Sequence, residues 1–101
     1  MKTIIAQREF IAVDSNDRKF SIVIKIGKPY LYGDNQGWAC PVALEGLHKK
    51  LGDIRGVDSY QSLALAVKFV KMLLEHFIEK GCRLFFLEDD DSPINIDDLD
   101  S

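Results

Sequence analysis

The chain has 101 residues, of which 47% are apolar and 29% are charged, as is typical of one soluble globular domain. No apolar run approaches the roughly 20 residues that a membrane-spanning helix needs, so we expect no membrane association. Residues 1–87 hold all 13 lysines and arginines against nine acids, a net charge of +4, whereas residues 88–101 hold seven acids and no base, a net charge of −7. This division predicts a compact domain over residues 1–87 and an acidic C-terminal tail over residues 88–101.

Alternation of apolar and polar residues predicts two strands at the start of the chain. Residues 4–13 are strand-like, and the polar residues 14–17 have the composition of a turn. The second strand is marked by its alternating apolar set, Phe20, Ile22, Ile24 and Ile26. These two segments therefore predict an antiparallel pair.

A third strand is predicted after a polar, glycine-flanked turn over residues 33–37. One face of this strand carries Trp38, Cys40, Val42 and Leu44. Pro29 and Pro41 indicate a sheet edge or a bulge, because proline has no N–H to donate to a ladder. Residues 45–57 contain three glycines and are predicted to form a loop.

A long amphipathic helix is the clearest predicted element. Asp58 is a suitable N-cap residue, Gln61 stands three positions later as in a capping box, and Gly81 suits the C-terminal end. The predicted apolar stripe consists of Leu63, Val67, Val70, Leu74 and Phe77, widened by Tyr60, Ala66, Leu73 and Ile78. Such a stripe is expected to pack against a sheet.

The apolar run at residues 84–87 predicts a last strand, which gives the element order β-β-β-α-β. We therefore predict an α+β fold, in which an antiparallel sheet of about four strands has one long helix packed on one face. Phe85 and Leu87 then point to the face that the helix does not cover. The loop at residues 45–57, the tail or a second copy of the chain must cover that face, so a homodimer is one alternative.

Two motifs carry a resemblance to a known group of proteins. W-A-C-P at residues 38–41 and G-V-D-S-Y-Q-S-L-A-L-A at residues 56–66 resemble a family of small bacterial proteins with no assigned function, in which a W-x-C strand precedes a G-x-D-S-x-Q-A-L-x-L-A-like helix start. Ser62 stands where that pattern has alanine. The resemblance covers most of residues 8–87 and implies a compact α+β domain, but it supplies no catalytic residues.

Cys40 and His48 are the only candidate catalytic pair, as a thiol nucleophile with its base. No signal in the sequence brings them together, and a packed core position is the plainer interpretation of Cys40. Cys40 and Cys82 are separated by 42 positions, and we expect reduced thiols and a cytoplasmic protein, with a disulfide as the minority alternative. Neither a nucleotide-binding glycine motif nor a familiar metal-ligand spacing occurs, so we expect no cofactor and no metal.

Two surfaces are candidates for binding. Lys49, Lys50 and Arg55 form a local basic cluster, but the modest charge of the body and the acidic tail argue against nucleic acid as the partner. In the tail, Ile94, Ile96 and Leu99 are interspersed with acids, a pattern typical of a segment that docks into a basic, apolar groove. The alternative is a disordered, solubilising end.

These features favour a non-enzymatic protein-interaction or accessory module. Its predicted binding residues are Phe85, Leu87, Ile94, Ile96, Leu99, Lys49, Lys50 and Arg55. The expected partner is another protein, and its identity does not follow from the sequence. The alternative functions are a small thiol-dependent enzyme that uses Cys40 and His48, and a nucleic-acid-associated regulator.

Overall fold

A computed structural model describes residues 1, 3–34 and 37–100, with the side chains of Ile96 and Asp100 left out. Its elements in chain order are β1 (Ile4–Val13), β2 (Lys19–Gly27), β3 (Tyr30–Tyr32), β4 (Gly37–Cys40), β5 (Val42–Glu45), β6 (Ile54–Gly56), α1 (Ser59–Glu79), β7 (Arg83–Phe85) and a 3₁₀ helix (Ile96–Asp100). The predicted α+β class is confirmed. The strands form two antiparallel sheets, in the orders β5-β2-β1-β7 and β3-β4-β6.

The predicted hairpin of the first two strands is confirmed. β1 and β2 pair with Phe10 opposite Ile22, and both side chains are buried in the core. The connecting turn is held by Asp14, whose Oδ1 accepts hydrogen bonds from the backbone N–H groups of Asn16 and Arg18 at 2.8 and 2.9 Å. The bond from Arg18 is the main reason that the pKa of Asp14 lies below its usual value.

The predicted single strand over residues 38–44 is wrong, because the chain changes sheets at Pro41. β4 ends at Cys40 and pairs with β3 and β6, whereas β5 begins at Val42 and pairs with β2. Pro41 cannot donate to either ladder, but its carbonyl oxygen accepts a hydrogen bond from the N–H of Gly27 at 2.8 Å. The centre of the predicted turn over residues 33–37, Asn35 and Gln36, lies outside the described residues.

The predicted loop over residues 45–57 is also corrected, since its last part forms β6. With β3 and the division of the predicted third strand into β4 and β5, this strand brings the described structure to seven strands rather than about four. Each of the two added strands has three residues, a length too short for an alternating pattern to stand out in the sequence.

The helix begins as predicted, but its buried stripe is displaced. The Asp58 carboxylate accepts a hydrogen bond from the Gln61 N–H at 2.7 Å, while the Gln61 side-chain oxygen accepts one from the N–H of Val57. The buried residues of α1 are Ser62, Ala66, Val70, Leu74 and Phe77. Val67 and Tyr60, which were predicted to belong to the stripe, are 53% and 81% exposed.

The close approach of β6 to the first turn of α1 explains this displacement. A Cβ atom on Gly56 would lie 2.5 Å from the backbone nitrogen of Ser62. Only glycine on the strand and a small residue on the helix allow this separation. The small side chain of Ser62 is therefore turned inward, and its hydroxyl donates to the carbonyl of Ser59 at 3.1 Å.

The predicted last strand ends at Phe85, and the chain beyond it folds back onto the core. Leu84 is fully buried, whereas Leu87 is 62% exposed. The N–H of Ile94 donates to the carbonyl of Leu84 at 2.7 Å, and the Ile94 side chain is only 7% exposed. Leu99 packs against the same core. The acidic tail thus contributes apolar contacts to the domain.

No helix in the described part of the chain is long and apolar enough to cross a membrane.

Candidate functional site

A cleft of about 1090 Å³ lies where the start of β1, β3, β5 and the loop over residues 48–53 meet. We call it the basic cleft, because its rim carries Lys25, Lys28, His48, Lys49 and Lys50. Its volume is slightly above the usual range for small-molecule pockets, about 300–1,000 Å³. It is partly open to solvent.

Most of the lysines in the basic cleft have no acidic partner among the described residues. Lys25 forms an ion pair with Glu45 at 2.8 Å, whereas no ion pair to Lys28, Lys49 or Lys50 occurs within residues 1, 3–34 and 37–100. All three of these side chains belong to exposed residues. Their positive potential is therefore available to an incoming anion.

Aromatic side chains form the second component of the basic cleft. Tyr30 and Trp38 line it from neighbouring strands, and Trp38 is the only tryptophan of the chain. The Tyr30 hydroxyl donates to Oδ2 of Asp53 at 2.5 Å. This hydrogen bond raises the pKa of Tyr30, with smaller contributions from burial and from the Asp53 charge. It also occupies an oxygen of Asp53, the acid that faces the cleft from the loop.

The predicted basic cluster is divided between two places. Lys49 and Lys50 line the basic cleft, but Arg55 does not. The Arg55 guanidinium lies 4.0 Å from the centre of the Tyr32 ring and donates to the Tyr32 hydroxyl at 2.5 Å. This cation–π contact gives Arg55 an internal partner on the second sheet.

The structure places His48 and Cys40 in different environments. His48 is exposed and lines the basic cleft, whereas Cys40 is fully buried and its thiol donates to the carbonyl of Gly27 at 3.4 Å. Burial, and secondarily the charge of Asp53, raises the pKa of the Cys40 thiol. A buried thiol with a raised pKa is poorly suited to nucleophilic chemistry, because the reactive species is the thiolate.

A disulfide and a metal site are the other kinds of chemistry that cysteine, histidine and acidic side chains can support. Cys40 and Cys82 are both free and buried, so the minority alternative of a disulfide is wrong. The described residues also contain no group of three or more histidine, cysteine, aspartate or glutamate side chains that could hold a metal ion.

The remaining predicted binding residues fall into two groups. Phe85 is half-buried opposite Ile11 at the end of the first sheet, and Leu87 is exposed beyond it. Ile94 and Leu99 face the core of their own chain, and the side chain of Ile96 lies outside the described part. The tail aliphatics whose side chains are described are thus used inside the molecule, while its acidic residues remain on the surface.

Sequence reasoning missed Lys25, Lys28, Tyr30 and Trp38 as members of one site. These residues are up to 25 positions away from Lys50 in the sequence, and the pairing of β5 with β2 brings Lys25 close to the loop that follows β5. No local pattern joins them, because residues 31–48, which include Trp38, contain no lysine.

Comparison with protein families matches a domain of unknown function, DUF6968, over residues 6–94. The match begins within β1 and extends to Ile94, the residue that anchors the tail. Comparisons with curated proteins and with solved structures returned no match. Because the matched region covers most of the chain, this protein belongs to the DUF6968 family, a domain family of unknown function.

Proposed function

We propose that this protein is a non-enzymatic interaction module whose basic cleft binds an acidic segment of a partner protein. The single observation that carries the proposal is the set of three exposed lysines, Lys28, Lys49 and Lys50, around a cleft with aromatic walls and with no ion pair to the described residues. A cytoplasmic setting fits the two free thiols.

The lysines and the aromatic residues contribute different parts of the binding energy. An exposed ion pair contributes only about 0.2–1 kcal/mol, so lysines alone give weak attraction that depends on salt. Tyrosine and tryptophan often account for most of the binding energy at interfaces, because they bury large surfaces with little loss of side-chain freedom. Tyr30 and Trp38 therefore favour a segment that has aliphatic or aromatic residues between its acids.

The geometry is less suited to nucleic acid. The whole chain has a net charge of −3, and the seven acids after Leu87 oppose a phosphate backbone. A partner with a few acids and intervening apolar groups requires only the local charge of the basic cleft. Nucleic acid remains an outcome that the experiment distinguishes.

The test is a titration that follows the fluorescence of Trp38, the only tryptophan. The probe is a synthetic peptide in which aspartate alternates with leucine, and the competing probe is a single-stranded oligonucleotide. We expect the peptide to bind, the binding to weaken as salt increases, and the oligonucleotide to bind more weakly. Tighter binding of the oligonucleotide would contradict the proposal and favour a nucleic-acid-associated role.

Matched charge reversals locate the site. The variant Lys49→Glu/Lys50→Glu should bind the peptide more weakly by about 1–4 kcal/mol, or roughly 5-fold to several hundred-fold. Each substitution removes an attraction to the acidic peptide and adds a repulsion. The control Lys68→Glu/Lys80→Glu has the same net charge, and its substitutions lie outside the cleft lining. Equal losses in the two variants would mean that the peptide responds to overall charge and that the basic cleft is not its site.

A further inference from the structure

We infer that the acidic segment bound by the basic cleft is supplied by a second copy of this chain, through the acidic surface of residues 88–98 and the exposed Leu87 that adjoins it. The inference rests on the proposed function and names the partner of the same site. Its basis is charge complementarity between two surfaces of one molecule. One carries exposed lysines and the other exposed carboxylates, and neither set forms ion pairs within the part of the chain that the structure describes.

The carboxylates of residues 88–98 are held on the surface by the fold. Ile94 is buried, which anchors the segment to the core. Asp97 and Asp98 are exposed beside Cys82 and Arg83, and Asp89 and Asp91 are exposed in the preceding turn. These four carboxylates form no ion pair with any other described residue. They are thus available to a second molecule.

Two acids of the same surface have internal roles and are excluded from the contact. Glu88 forms an ion pair with Lys19 at 3.4 Å. Asp90 accepts a hydrogen bond from the N–H of Leu87 at 2.9 Å. These bonds fix the course of the chain after β7, which keeps the unpaired carboxylates preorganised and lowers the entropy lost on binding.

The acidic surface and the basic cleft lie towards opposite ends of β1. Ile4, at the start of β1, lines the basic cleft, whereas Val13, at its end, pairs with Arg83 beside the acidic surface. Ten strand residues span about 33 Å, within a molecule whose longest dimension is 48 Å. Because residue 94 is anchored in the core, the acidic surface cannot reach the cleft of its own chain, and the contact must be intermolecular.

An antiparallel arrangement of two elongated copies satisfies two such contacts at once. The acidic surface of each copy then meets the basic cleft of the other, which gives a closed two-fold dimer, the commonest symmetry of soluble oligomers. Exposed ion pairs are individually weak and are screened within about 10 Å at 0.1 M salt. The dimer is therefore expected to depend on both contacts and to dissociate as salt increases.

The experiment measures association by sedimentation equilibrium in about 0.05 M and about 0.5 M NaCl, which differ about threefold in screening length. Two variants each reverse charge on one surface: Lys49→Glu/Lys50→Glu does so in the cleft, and Asp97→Lys/Asp98→Lys does so on the acidic surface. In low salt we expect the wild type to dimerise and each variant to be monomeric. The wild type should dissociate in the higher salt.

Mixing the two variants provides the decisive measurement. The intact acidic surface of the first variant meets the intact cleft of the second, and the two altered surfaces face each other with exchanged charges that also attract. We expect a 1:1 complex in the low salt that neither variant forms alone, because both linked contacts again pair opposite charges. The control Glu9→Lys/Glu79→Lys changes charge by the same amount on exposed acids elsewhere and should leave the wild-type dimer within about twofold.

Three outcomes would overturn the inference. The first is a wild type that stays monomeric in the low salt, the second is a mixture that does not associate, and the third is a control that dissociates as much as the acidic variant. Failure here is distinguishable from failure of the proposed function. If the cleft binds the aspartate–leucine peptide while the protein does not self-associate, the cleft keeps its function and its partner is another protein. If the cleft binds no peptide either, both proposals fail.

Discussion

Replacement of Ile94 by alanine measures how strongly the acidic tail is attached to the domain. The Ile94 side chain is 7% exposed, and truncating a buried isoleucine to alanine typically costs 2–5 kcal/mol through lost burial and the cavity left behind. The site lies near the surface and can partly collapse, so we expect about 3 kcal/mol. Alanine keeps the backbone N–H that bonds to the Leu84 carbonyl at 2.7 Å, so the substitution isolates the side-chain contribution.

Urea unfolding followed by the fluorescence of Trp38 gives the free energy of unfolding directly. The matched control is Leu87→Ala, because Leu87 belongs to the same tail and is 62% exposed. Surface substitutions of this kind usually change stability by less than about 0.5 kcal/mol. If Ile94→Ala costs no more than Leu87→Ala, residue 94 is not part of the core, and the tail is then not held away from the cleft of its own chain.

Three further predictions concern the N-cap of α1, the hydrogen bond between Tyr30 and Asp53, and the buried thiol of Cys40. Asp58→Ala should lower the free energy of unfolding by about 1 kcal/mol in urea titrations, because it removes the N-cap acceptor of α1; no change would mean that the cap is redundant. Asp53→Asn should lower the pKa of Tyr30, as measured by ultraviolet titration of tyrosinate. In the wild type the Asp53 carboxylate favours the neutral phenol, and the substitution removes that carboxylate. The stabilisation from this bond is present below the ordinary tyrosine pKa and is lost as pH rises through the raised value, so an unchanged pKa would contradict the assigned bond. Alkylation of Cys40 by a maleimide should be slow in the native protein and accelerate on unfolding, and a fast native reaction would contradict the burial argument and restore the thiol hypothesis.

These predictions also separate the two surfaces of the tail. Ile94→Ala tests the apolar attachment, whereas the aspartate substitutions test the outward carboxylates. Because Ile94 and Leu99 both contribute to the core, truncation after Leu87 would remove both functions together. Point substitutions are therefore needed to distinguish a loss of stability from a loss of binding.

Local signals in the sequence determined much of the fold. The alternation at Phe20, Ile22, Ile24 and Ile26 specifies β2, because a strand with one buried face requires a period of two. Asp58 specifies the start of α1, because its carboxylate satisfies an otherwise unpaired N–H group. Both signals involve residues that are close in sequence, and both were sufficient to predict the α+β class.

The tertiary structure alone decided the face of α1 that is buried and the assembly of the basic cleft. The buried stripe begins at Ser62 rather than Leu63, because Gly56 of β6 approaches the helix too closely for a larger side chain. The apolar periodicity of the helix does not reveal this contact. The cleft gathers Lys25 and Lys50 only because the chain changes sheets at Pro41 and β5 returns along β2. The sequence by itself therefore determined the elements whose stabilising contacts are local. The basic cleft depends on contacts between distant segments, so only the packing of the two sheets determined it.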